Sequence, residues 1–159
     1  MCDYSLCGIP NRLAVEGEEL IVHRFSTGSM GLASSAELQA CQRLKEAAPK
    51  PTFWQRLKSF LVEPSQEATA PAVCIPPGAR LMMKNIPADL RRLCRVSQDE
   101  IVVFTQISSE INTYRDAVRF ESGCEVRLQD LREGILVQVQ SLAGDPEYTP
   151  PVARVGSLV

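Results

Sequence analysis

Short runs of alternating apolar and polar residues dominate the chain. Over residues 20–25, Leu20 and Val22 face one side of a predicted strand while Ile21, His23 and Phe25 face the other. Val118 and Phe120 alternate with Arg119 and Glu121, and Val126 and Leu128 alternate with Arg127 and Gln129. Between them, Glu121-Ser122-Gly123 predicts a tight hairpin turn in which Gly123 supplies the positive φ such a loop needs. After a turn at 131–134, Ile135, Val137 and Val139 mark a last alternating strand. Apolar runs at 72–76 and 79–83, split by Pro76-Pro77-Gly78, read as two short strands. Residues 101–107 are apolar enough at Ile101, Val102, Val103 and Phe104 to predict a strand buried on both faces. Pro87 can open a short helix with Leu90, Leu93 and Cys94 on one side. Short strands, tight turns and one short helix predict a β-rich, α+β fold: a small antiparallel β-barrel or roll.

The period changes from two to 3.6 between Ser34 and Pro71, which predicts a helical insertion. Ser34 and Glu37 have capping-box spacing, and Leu38, Cys41 and Leu44 recur at helical intervals until Pro49. Thr52 and Gln55 repeat the start signal. Phe53, Trp54, Leu57, Phe60 and Leu61 then form an apolar stripe, and Pro64 ends this second helix. Residues 65–71 read as a polar linker. Four regions follow: 1–33, a loop and strand joining the core; 34–71, the helical insertion and linker; 72–145, the β-rich core; and 146–159, an extended tail.

Composition narrows the class of protein. The 159 residues are 45% apolar and 23% charged, which suits one ordinary globular domain. A net charge of −2 gives no basic stripe for nucleic acid. The opening MCDYSLCGIPNR has neither the basic nor the apolar region of a secretory signal, and no run nears the roughly 18 apolar residues that span a bilayer. These features predict a cytoplasmic protein, with the inner membrane surface as a peripheral location. In the cytosol the six cysteines would be thiols.

Little catalytic machinery is visible. There is one histidine, no P-loop, no G-x-G-x-x-G after a strand, no G-x-S-x-G and no H-E-x-x-H. Removal of Met1 would leave Cys2 as an N-terminal thiol with its own amine as base, so Cys2 is the candidate nucleophile. This Met-Cys start is similar to that of class II glutamine amidotransferases, but Asp3 and Tyr4 stand where those enzymes place small residues. Cys2, Cys7 and His23 could hold zinc or copper if Cys74 or Cys124 came near. No C-x-x-C knuckle supports that site, and buried cysteine usually packs as a small hydrophobe. No cofactor is otherwise predicted. Glu16, Glu18 and Glu19 read as solvated acids at a turn, as do Asp99 and Glu100. Tyr114-Arg115-Asp116 suggests a cross-strand ion pair.

The sharpest feature is the helix predicted over 52–63. Its stripe holds the only tryptophan and two of the five phenylalanines, with Arg56 and Lys58 beside it and no acid between Pro49 and Val62. Such a stripe most often packs on its own domain. Flanking Pro49-Lys50-Pro51 and the 65–71 linker give it reach, so Phe53, Trp54, Leu57, Phe60, Leu61, Arg56 and Lys58 are the candidate partner-binding residues. An anionic membrane surface is the alternative contact. The expectation is therefore a non-enzymatic binding or accessory protein that docks on a larger complex: a small subunit, adaptor or assembly factor. The alternative is a cysteine-centred protein, binding metal through Cys2, Cys7 and His23 or using Cys2 chemically.

The segments MCDYSL, PNRLAVEGEEL, HRFSTGSMGLAS, TYRDAVRF and VRLQDLREG resemble a group of small uncharacterised bacterial proteins that open with the same six residues. The likeness covers the first and third regions and nearly skips the second. It implies no activity, and it marks 35–71 as an addition to a two-part core.

Overall fold

The computed structural model describes residues 6, 8–47, 70–108 and 113–144. Strands β1 (Asn11–Leu13), β2 (Glu19–Arg24) and β3 (Met30–Ser34) lead directly into helix α1 (Ser35–Ala47). Further along the chain come β4 (Ala72–Cys74), β5 (Arg80–Lys84), helix α2 (Ala88–Cys94), β6 (Glu100–Gln106), β7 (Asp116–Phe120) and β8 (Glu125–Arg127). A 3-10 turn over Leu128–Asp130 then leads to β9 (Leu136–Ser141). The nine strands form one sheet in the order β1-β4-β3-β2-β9-β5-β6-β7-β8.

The alternating runs become strands because each offers one apolar row. Leu20 and Val22 of β2, Leu81 and Met83 of β5, Val102 and Phe104 of β6, Val118 and Phe120 of β7, and Val137 and Val139 of β9 bury that row in one cluster. A second, smaller cluster on the opposite side holds Leu6, Ile9, Phe25, Ala33 and Ala72. Strand β3 sends Leu32 to the first cluster and Ala33 to the second, so it is buried on both faces. Gly31 lies on the crowded side: a Cβ there would meet Leu6 Cδ1 and Phe25 Cε2 at 3.0 Å each. The β7–β8 hairpin forms as predicted. Phe120 N donates to Cys124 O at 2.9 Å, and Gly123 takes φ +82°.

Four expectations need correcting. The sheet is open and mixed, not a closed antiparallel barrel. Strands β1 and β8 are its two edges, and β1 runs parallel to β4. Strand β6 is buried on both faces only toward its end, at Phe104 and Thr105; at its start Ile101 is 41% exposed on the face that the second cluster does not reach. On α2 the predicted stripe splits: Cys94 is buried and Leu90 packs on the main cluster, while Leu93 is 74% exposed. Cysteines expected as thiols are oxidised. Cys94 and Cys124 form a disulfide, and Cys74 is also disulfide-bonded. Cys41 is free.

Candidate functional site

The structure bears on the docking proposal at the root of the insertion. Strands β3 and β4 pair directly, Ala33 opposite Ala72. Residues 35–69 therefore leave and re-enter the sheet at adjacent strands, which lie about 4.8 Å apart. The first part of this excursion, α1, starts without a loop at the end of β3 and contains no buried residue. Leu38 is half-buried and packs on the smaller cluster, whereas every residue from 42 to 47 is exposed, Leu44 at 63%. Helix α1 is thus anchored by its first turns and projects from the sheet along the rest.

The anchor is an ion-pair network that the sequence reading missed. Arg12 of β1 donates through Nε to Glu37 of α1 at 2.9 Å, and through both terminal nitrogens to Glu18. It also donates to Leu13 O at 3.1 Å. Glu18, read from sequence as a solvated acid, has a side chain only 16% exposed and also accepts from Val15 N at 3.2 Å. Its hydrogen bonds with Arg12 hold its carboxyl below the usual carboxylate range, and Glu18 followed by Glu37 raises the Arg12 guanidinium above its ordinary value. Glu37 thereby spends its carboxylate on β1 instead of completing the predicted capping box, and its Oε2 is buried without a hydrogen-bond partner. Beside this network, Leu13 and Val15 are 71% and 62% exposed. A contact 25 positions away leaves no periodic trace; only the charge types hinted at it.

The predicted docking residues Phe53, Trp54, Arg56, Leu57, Lys58, Phe60 and Leu61 lie outside the described residues, as do Cys2 and Cys7. Of the proposed metal ligands, His23 can be located. Its Nδ1 is 2.9 Å from Glu133 Oε1, and its ring stacks edge-on against Phe25, centroids 5.1 Å apart. Glu133 also accepts from Arg24 N at 3.0 Å; this bond, then the neighbouring imidazole, lowers its carboxyl pKa. The further thiolates considered, Cys74 and Cys124, are both in disulfides. Among the described residues no three His, Cys, Asp or Glu side chains group to hold a metal.

The other acids also make tertiary contacts. Glu16 accepts from Leu142 N at 2.8 Å and Asp99 from Asn85 N at 2.9 Å. Asp116 accepts from its cross-strand neighbour Gln106 at 3.0 Å. No helix of the described residues is long and apolar enough to cross a membrane. No protein-family model, curated protein or solved structure matches the chain.

Proposed function

We propose that the protein is a non-enzymatic accessory or adaptor protein whose sheet presents the 35–69 excursion to a larger protein complex. The docking element is the aromatic, basic stretch from Phe53 to Leu61. The observation that carries this reading is the direct Ala33–Ala72 pairing beneath the excursion, with α1 projecting from it. A sheet that closes its own ladder there leaves the intervening chain available for a partner. Large aromatic side chains in such a segment are the usual anchors of an interface.

Because Trp54 is the only tryptophan, its fluorescence reports on that stretch alone. The test compares the full chain, a variant lacking residues 50–64 and Trp54→Ala, each isolated at natural abundance from the source organism. The expected result is a defined partner recovered in stoichiometric amount with the full chain and lost with both variants. Reconstitution from purified components should then shift Trp54 emission to the blue. Unchanged co-purification by the deletion variant removes the reading. A blue shift on anionic vesicles with no protein partner would replace it by a peripheral membrane role. Metal analysis of the native protein tests the cysteine-centred alternative, and retention of Met1 would exclude Cys2 as an N-terminal nucleophile.

A further inference from the structure

A cleft of about 440 Å³ lies between α2 and the β8 edge of the sheet. Ligand sites typically fall within roughly 300–1,000 Å³. Its apolar surface comes from Pro87, Leu90 and Leu93 on the helix side and from Val126 and Ile135 opposite. Two cross-links hold the walls. The Cys94–Cys124 disulfide ties the end of α2 to the start of β8, and Arg132 pairs with Asp89 at 2.9 Å near the start of α2. Between them Leu93 remains 74% exposed, an uncovered apolar wall.

Two features specify an occupant. The first is the backbone of β8. Phe120 N bonds Cys124 O, so the ladder makes Val118 opposite Val126 the next hydrogen-bonded pair. The N–H and C=O groups of Glu125 and the N–H of Arg127 therefore point away from β7, to the side where β8 has no strand neighbour among the described residues, while the Arg127 carbonyl opens the 3-10 turn over Leu128–Asp130. The second is charge. Asp89, Glu125 and Asp130 line the cleft against a single lining base, Arg132. Arg132 neutralises Asp89, and Arg127 neutralises Asp130. Glu125, opposite Arg119 in the ladder, makes no salt bridge among the described residues.

We propose that this cleft binds a short extended peptide segment, added as a strand along β8, with an apolar side chain against Leu90 and Leu93 and a basic one toward Glu125. Backbone bonds to Glu125 and Arg127 supply affinity, and the apolar wall and the acid supply selectivity. With three residues, β8 can pair with about as many peptide residues.

The probe is an acetylated, amidated pentapeptide of alternating lysine and valine, titrated into the oxidised full chain and followed by NMR. Saturable shifts are expected at Leu90, Leu93 and Val126, together with slowed amide exchange at Glu125 and Arg127. A glutamate-for-lysine analogue should bind at least tenfold more weakly, and Leu93→Ser should weaken binding by a similar factor without altering the fold, since Leu93 is exposed. An analogue with proline at both valine positions should give no amide protection. Shifts elsewhere, absence of protection, or equal binding of the lysine and glutamate peptides would overturn the proposal. None of these readouts depends on residues 50–64, so the outcome is independent of the adaptor reading.

Discussion

Arg12 joins three separate segments: β1, which carries it, Glu18 beyond that strand, and Glu37 on the helix that begins the excursion. Replacing it by glutamine leaves Glu18 poorly solvated and Glu37 without its cation, which should cost about 2 kcal/mol of stability. The urea midpoint checks this. The pH dependence is a sharper test. The Glu18 carboxyl titrates in the folded chain below its ordinary value of about 4.5, chiefly through its bonds with Arg12. The unfolded chain therefore binds the proton more readily. The pair's contribution is complete above about 4.5 and is lost as pH falls through the lower folded value. Glu133, lowered chiefly by the Arg24 N–H, acts in the same direction. The wild type should lose stability steeply below that point, while Arg12→Gln loses the Glu18 share and keeps the Glu133 share. Parallel acid limbs for the two proteins would show that Arg12 does not set the Glu18 titration.

At the scale of elements, the Cys94–Cys124 disulfide fastens a seven-residue helix that otherwise contributes only Cys94 and half-buried Leu90 to the core. Closing a loop of sequence separation 30 should stabilise the fold by about 3–4 kcal/mol on the chain-entropy account. Cys124→Ser, which leaves the Cys74 disulfide intact, should therefore unfold at a urea concentration well below that of the oxidised wild type. Coincident curves would mean that the bond constrains nothing. No sequence spacing revealed this bond. Alternation marked Leu20 and Val22, Val118 and Phe120, and Val137 and Val139 as inward rows, because a strand's period fixes which residues share a face. It is silent on which face finds a neighbour. Leu93 shares a helical stripe with Leu90 yet lies past the rim of the core, and Ile101 is on a face that the smaller cluster does not reach. Cys124, considered from sequence only as a candidate thiolate ligand, is brought by the hairpin to 5.3 Å, Cα to Cα, from Cys94. The same limit applies to the candidate site: the amphipathic stripe of 53–61 is explicit in sequence, whereas Arg12 and its partners meet only through topology.

For the whole molecule, the decisive question is whether the excursion belongs to the core or is carried by it. With Ala33 and Ala72 already paired, residues 35–69 can be replaced by a four-residue turn that joins β3 to β4 as an ordinary hairpin. Shortening a loop of about 35 residues to about 4 lowers its closure cost by roughly 2 kcal/mol. The replacement also removes the half-buried Leu38 and the Arg12–Glu37 bond. Partial burial of one leucine contributes about 1 kcal/mol, and a half-exposed ion pair up to about 1 kcal/mol. The opposing effects nearly cancel, so the hairpin variant should unfold within about 1 kcal/mol of the full chain, with an unchanged hydrogen-exchange pattern across β2, β5, β6, β7 and β9. A loss of 3 kcal/mol or more would mean that the aromatic stretch completes the core. Its apolar side chains would then be covered by their own chain, and no outside partner would be needed to explain them.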